Sequence, residues 1–311
     1  MNPEAIIECV PNFSEGTDLS KVSKIVLAMQ VPGVSLLDWS LDLAHNRSVV
    51  TIAGPADPVA ESVIRGAGKA AEIIDLTQQT GVHPRIGAAD VIPFIPVREA
   101  SLADCALLAR QVGLNLWRRY GIPVYFYGAS AARPDRVQLE DVRRGQFEGL
   151  RDAVRRDAAR RPDVGGPELH ETAGASVVGA RSFLIAYNVH LRQPDITAAR
   201  AIARDIRASN GGLHGVKALG VLANDRAQVS MNITDHVTTP MTKVYKRLTE
   251  LATRYGAELD DSELIGLIPE AAFEDGAEWI ARIPDFDPAL KVVERRLRNP
   301  LDWPIDQSHH P

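Results

Sequence analysis

Apolar positions recur along the chain at two spacings, and these divide it into short strands and amphipathic helices. Residues 5–13, AIIECVPNF, read as a strand entering a turn at Pro11-Asn12, and a helix follows from about Asp18 to Gln30. Two further strands are predicted, VSLLDWSLD at 34–42 and NRSVVTIAG at 46–54, and then a helix opening near Asp57 that runs through AESVIRGAGKAAEII. FIPV at 94–97 supplies a fourth short strand, SLADCALLARQVGLNLWRRYG a helix, and VYFYG at 124–128 another strand rich in β formers.

The second half repeats this grammar. SFLIAYNVHL at 182–191 is a strand, and Asp195 caps a helix whose Ile196, Ala199, Ala203 and Ile206 share one face. VKALGVLA at 216–223 and RAQVSMNITD at 226–235 read as adjacent antiparallel strands. Pro240 opens a helix over MTKVYKRLTELATRYG, and SELIGLIP at 262–269 closes the unit. The order β-α-β-β-α-β predicts an α+β protein of two tandem ferredoxin-like sandwiches with a ligand cleft between them.

Residues 151–174 differ in texture, passing from a basic helix into a stretch dense in Gly, Pro and polar residues. The domain boundary is expected here, and the stretch is either a linker or a functional loop. The predicted domains are 1–178 and 179–300, with a tail over 301–311.

Composition narrows the function classes. The 311 residues are 45% hydrophobic and 24% charged with a net charge of −5, so neither a nucleic-acid nor a membrane partner is signalled, and small-molecule substrates remain. Cys9 and Cys105 stand far apart, which predicts two reduced thiols rather than a disulfide or zinc framework. The N-terminus lacks the basic and apolar regions of a secretory signal, and a cytoplasmic enzyme is expected.

The most unusual stretch is GVHPRIGAADVIPFIP at 81–96. His83 lies between Gly81, Pro84 and Gly87 rather than in a periodic apolar element, so it is either a proton-transfer group near neutral pH or a structural histidine bonding its own loop. In DWSLDLAHNR at 38–47, strand alternation places Asp38, Ser40 and Asp42 on one face. A carboxylate there can orient a histidine, and Arg47 can bind a substrate carboxylate, although Asp and Asn are also ordinary turn residues. Ala227, Val229, Met231 and Ile233 alternate with Gln228, Ser230, Asn232 and Thr234, giving an uncharged polar face that lines a ligand site or simply meets solvent. His170, His190, His214 and His236 show no metal-ligand spacing, and no metal is expected.

Five motifs in order, ECVPNFSEG at 8–16, HNRSVVTIAGP at 45–55, HPRIGAADVIPFIPV at 83–97, PVYFYG at 123–128 and GARSFLIAYNVHL at 179–191, resemble the formiminotransferase domain of formiminotransferase-cyclodeaminase and its stand-alone bacterial counterparts. The resemblance implies two ferredoxin-like subdomains, tetrahydrofolate as co-substrate, transfer of a formimino group from N-formimino-L-glutamate, and a catalytic histidine at His83. Folate contacts are implied over Gly165, Gly166, Pro167, Glu168, Leu169, His170, Glu171, Thr172, Ala173 and Gly174, where this chain departs from a Ser- and aromatic-rich run. The family's LLD-x-D pattern keeps Asp38 but has Ser40 at its second aspartate, so Asp38 or Asp42 is the expected partner of His83. Asn12, His45, Asn46, Arg47 and Arg85 fall in the matching motifs and are the expected substrate-binding set. A homodimer is expected.

The chemistry implied is compact. A protonated amidine carbon is already electrophilic, so one residue of pKa near 7 can take the proton from the attacking nitrogen and return it to the departing glutamate nitrogen. Two alternatives stay open at this level: folate-dependent formyl transfer or 5-formyltetrahydrofolate interconversion, and a non-enzymatic folate-binding protein.

Overall fold

The structure is a computed structural model and describes residues 2, 4–43, 45–81, 84–223 and 225–303. It contains two compact units. The first runs through Arg181 and takes back the chain from Pro300, and the second is Ser182–Asn299. The breaks therefore fall at Arg181/Ser182 and Asn299/Pro300, and residues 151–174 belong to the interior of the first unit rather than separating the two. Leu301 and Trp303 pack against the first core, and the Leu301 amide donates to the Leu36 carbonyl at 2.8 Å.

In the first unit, β1 (Ile6–Cys9) and β2 (Asn12–Phe13) lead to α1 (Leu19–Ala28), then β3 (Ser35–Asp42), β4 (Arg47–Gly54), α2 (Ala56–Ile73), β5 (Ala89–Arg98), α3 (Leu102–Tyr120) and β6 (Val124–Gly128). The short α4 (Leu139–Val142), α5 (Gln146–Arg156) and β7 (Ser176–Ala180) follow. Across the sheet, β3 pairs with β4, both β1 and β2 lie between β4 and β5, and β7 and β6 continue beyond β5. The β5–β7 and β7–β6 pairs are parallel and the others antiparallel.

Two sequence expectations change here. The strand expected at 94–97 extends over Ala89–Arg98 despite Pro93 and Pro96, and Pro96, paired with Ile7, sits beside a register shift between Ile6 and Ile7, the kind of irregularity at which proline is tolerated in a sheet. The strand β7 went unforeseen. Its SVVGA run is short and follows a Gly-rich stretch, and only its pairing with β5 and β6 reveals five fully buried residues of an interior strand.

Helices α1, α2 and α3 cover one face of this sheet, with Ile7, Phe13, Trp39, Val50, Ile52, Phe94 and Val178 in the shared core. Local signals hold the helices in place. Asp18 accepts the Lys21 amide, and Ser101 with Asp104 forms a reciprocal capping box. On the opposite face, Val91, Tyr125, Tyr127 and Val177 pack with Val142, Leu150 and Val154 of α4 and α5.

The second unit is β8 (Ile185–Leu191), α6 (Ile196–Ile206), β9 (Val216–Ala223), β10 (Arg226–Ile233), α7 (Met241–Arg254) and β11 (Leu259–Ile265). The sheet order is β11-β8-β10-β9, antiparallel throughout. Tyr187, Val189, Val229, Met231 and Ile233 pack with Ile202, Ile206, Val244 and Leu248, so both helices lie on one face. Asp195 caps α6 by accepting the amides of Thr197 and Ala198, both at 2.9 Å, a cap whose loss costs about 1 kcal/mol. The strand β11 begins three residues before its expected start, because the poor β formers Asp260 and Asp261 pair with Arg226. Among the described residues, no helix is long and apolar enough to cross a membrane.

Candidate active site

Directly opposed residues of an antiparallel pair share a sheet face. Asp38 opposes Thr51, Ser40 opposes Val49, Asp42 opposes Arg47, and Asn12 opposes Val49 and Val91, so all of these stand on one face of the first sheet. Glu8 joins them opposite Ala53. Because Trp39 and Leu41 fill the other face, Asp38, Ser40 and Asp42 must emerge together on the polar one.

The β3–β4 turn carries the densest chemistry. Asp42 Oδ1 accepts the His45 amide at 2.9 Å, and Asp42 Oδ2 lies 2.6 Å from His45 Nδ1. Partial burial lifts the Asp42 carboxyl, but the hydrogen bonds from His45 and the nearby Arg47 charge outweigh it and hold it below the usual carboxylate range. A carboxylate at Nδ1 fixes the tautomer and leaves Nε2 of His45 as the outward nitrogen. Asp42, one of the two aspartates expected to partner His83, thus contacts His45, while His83 itself lies outside the described residues.

Arg47 reaches Asn12, with Nη1 3.4 Å from Oδ1, while Asn12 Nδ2 donates to the Val10 carbonyl at 2.9 Å. Burial and the neighbouring Arg143 guanidinium push Arg47 down against the opposing pull of Asp42 and Asp90, although an arginine remains cationic. Arg143 in turn ion-pairs with the buried Asp90, whose Oδ1 accepts the Ile86 amide at 2.7 Å. Arg181 hydrogen-bonds Tyr127, whose hydroxyl is pushed up by burial. Arg143, Asp90 and Arg181 were missed from sequence. Asp90 had a usable signal, a carboxylate three and four residues after loop amides that need an acceptor.

The turn is fixed to its surroundings by Asn46. Its φ is +49°, a conformation asparagine tolerates, and its side chain accepts the Gly16 amide at 2.9 Å and donates to the Thr80 carbonyl at 2.7 Å. Gly16 has no alternative, since a Cβ there would lie 2.4 Å from the Arg47 nitrogen and 2.6 Å from the Asp42 carbonyl oxygen.

These tethers bring in the segment that contains His83. Val82 and His83 themselves lie outside the described residues, but Gly81 packs on the His45 carbonyl, and Gln79 Nε2 donates to the Asn46 carbonyl at 3.1 Å. Arg85 has a scaffold rather than a free guanidinium. It donates to the Gln79 side chain at 2.6 Å and makes paired contacts of 3.1 and 2.9 Å with Glu148 of α5.

Residues 165–174 are packed into the first unit. His170 and Gly174 exchange two backbone hydrogen bonds, the Thr172 carbonyl accepts from Leu76, and the Ala173 carbonyl accepts from Ala88. Leu169 reaches both cores of the unit, and a Cβ on Gly174 would lie 2.1 Å from the Ile86 carbonyl oxygen. Gly166, Pro167, Glu168 and Glu171 are exposed. Glu168, Leu169 and Glu171 line a cavity of about 300 Å³ with Arg151, Asp152 and Arg155 of α5. His170 lies on a second groove with Arg65, Lys69 and Tyr120. Among the described residues, no three His, Cys, Asp or Glu side chains gather as a metal-ligand set.

The chain is thus a mixed α/β protein with a carboxylate-oriented histidine and a half-buried arginine at one turn of its first sheet, and comparison with known proteins shows its family. Residues 6–181 match the formiminotransferase domain, N-terminal subdomain, and residues 186–287 the formiminotransferase domain. The chain belongs to this family. It is 41% identical over 94% of its length to a glutamate formimidoyltransferase of Streptococcus pyogenes serotype M1, covering 98% of that protein. A glutamate formimidoyltransferase of Thermoplasma acidophilum is also 41% identical, with 94% and 97% covered. The formimidoyltransferase-cyclodeaminase of Gallus gallus is 36% identical over 94% of this chain but only 56% of its own length.

Proposed function

We infer that the protein is a glutamate formimidoyltransferase, moving the formimino group of N-formimino-L-glutamate to tetrahydrofolate to give 5-formiminotetrahydrofolate and glutamate. The observation that carries this reading is end-to-end similarity to two proteins of that name, at 41% identity with nearly complete coverage of both chains. The polar face of the first sheet supports it. Arg47 offers a guanidinium for a donor carboxylate beside Asn12, and the Asp42–His45 pair supplies an oriented imidazole at the same turn.

In this reading His83 is the proton shuttle. The amidine carbon is attacked by N5 of tetrahydrofolate, the attacking nitrogen loses a proton, and glutamate departs once its nitrogen gains one. The described residues that flank it support this reading, with Gln79 and Thr80 anchored to Asn46 on one side and Arg85 to Glu148 on the other. The exposed side of 165–174 lines a cavity with Arg151 and Arg155, but Asp152, Glu168 and Glu171 share that lining and Glu168 pairs with Arg155, so the folate reading of this segment rests on the family resemblance. The sheet order of the second unit, fourth-first-third-second in chain order, supports the ferredoxin-like reading, as does the same order of β3, β4, β1/β2 and β5 in the first.

Purified protein incubated with tetrahydrofolate and N-formimino-L-glutamate should release glutamate and form 5-formiminotetrahydrofolate, identified by mass spectrometry. Turnover with N-formylglutamate in place of the formimino donor would move the assignment to formyl transfer, and no turnover with either would overturn it.

A further inference from the structure

Helix α3 is apolar on two sides. Cys105, Leu108, Ala109, Val112 and Leu116 are buried in the first core, yet Leu107 is 63% exposed, Leu114 42% and Trp117 39%. With the exposed Ala103 and Arg110, these residues step along the helix by four, three, four and three positions, the spacing of a seam that packs on another helix. Scattered surface leucines need no explanation, but a row kept in register over about four turns marks a contact surface. Trp117 is also held in place, since a Cβ on Gly165 would lie 2.5 Å from its ring.

Charge identifies what covers this seam. Beside Leu107 a groove of about 420 Å³ runs between α3 and the start of α2, and its charged lining is Asp57 and Asp104. Both Ser101 bonds fall on Asp104 Oδ2, and among the described residues neither Asp57 nor Asp104 has an ion pair. The far end of the same helix is basic. Arg119 is engaged by Glu61, whereas Arg110 and Arg118 have no ion pair among the described residues. A stripe that is acidic at its start and basic at its finish complements a second copy of itself only when the two run antiparallel, an arrangement that also opposes their helix dipoles. We propose that α3 is the interface of a homodimer, with two copies packed antiparallel about a two-fold axis near Gln111. In that register Leu107 meets the partner's Trp117, the stem of Arg110 covers the partner's Leu114, and Asp104 faces the partner's Arg118. The two Gln111 side chains, both uncharged, meet at the axis.

Analytical ultracentrifugation of the full chain at micromolar concentration should show a dimer. Leu107→Glu combined with Leu114→Glu should raise the dimer dissociation constant about a hundredfold, because apolar contacts give way to carboxylates that must be desolvated. Val237→Glu, at an exposed apolar position of the second unit, should leave it unchanged. Gln111→Cys, oxidised with diamide, should form a disulfide to its own copy and run as a covalent dimer until reduced. If the double variant fails to fold, as judged by its thermal melt, the Gln111→Cys cross-link decides. A monomeric unaltered protein, a folded double variant that stays dimeric, or Gln111→Cys that does not cross-link overturns the proposal.

Discussion

Asp42 and His45 form a closed two-point contact: one carboxylate oxygen accepts the backbone amide of His45 and the other lies 2.6 Å from its Nδ1. The consequence is a division of labour at the β3–β4 turn, in which the aspartate orients the nearest histidine. If Asp42 acts through His45, Asp42→Asn and His45→Ala should each lower kcat/KM, and the double variant should be little worse than either single one. Additive losses would return Asp42 to His83 or to the substrate. Ser40→Ala, which leaves this contact intact, should cost less than Asp42→Asn.

His83→Ala should fold normally and lose about 10²–10⁴ in turnover, the usual range for a lost proton-transfer group. Because such a group acts in the transition state, kcat and kcat/KM should fall together while tetrahydrofolate affinity stays near that of the unaltered protein. Full kcat with a raised KM would reduce His83 to a binding residue.

Asn46 has two separable functions, its left-handed backbone and its side-chain tethers. Asn46→Gly keeps the first and loses the second, whereas Asn46→Ala loses both. The alanine variant should therefore be less stable than the glycine one by about 1 kcal/mol, and both should show faster hydrogen exchange at the Gly16 amide and reduced turnover. Equal melting temperatures would count against backbone strain at this position.

Glu15 gives a pH-dependent stability. Burial raises its carboxyl, but the Thr17 and Asp18 amides, the Thr17 hydroxyl and Lys21 together hold it below its ordinary value of 4.5. Its folded pKa is thus depressed, so its contribution is complete above pH 4.5 and is lost as the pH falls through the folded value. Glu15→Gln, which keeps an acceptor but removes the charge, should cost about 1 kcal/mol at pH 7 and progressively less in acid. Melting curves from pH 7 down to pH 3 will show the two proteins converging; a constant gap would refute the linkage.

The 165–174 segment should be protected before any ligand is added. Amide exchange at His170 and Gly174, which bond each other, should be slow in the free protein, while the exposed Glu168 and Glu171 exchange fast and slow down with 5-formyltetrahydrofolate. Uniformly fast exchange across the segment would contradict the packed arrangement.

Much of the fold was legible because it is written in local periodicity. VYFYG and VKALGVLA became strands at the predicted residues, Asp195 became the cap it resembled, and alternation alone placed Asp38, Ser40 and Asp42 on one face. These features depend on neighbours a few positions away, and the motifs that signalled the family are likewise contiguous. The sequence could not announce that SVVGA would enter the sheet as an interior strand, since that rests on pairing with residues 50 to 90 positions earlier. Nor could it assign partners among like residues. Asp42 went to His45, Arg85 to Glu148, and His190 to Asp261 across 71 positions, each decided by which side chains the sheet register and the packed loops bring within hydrogen-bonding distance. Periodicity sets the face on which a side chain stands, but the electrostatics that govern its chemistry fall off over a few ångströms, and only the tertiary structure determines what lies that close.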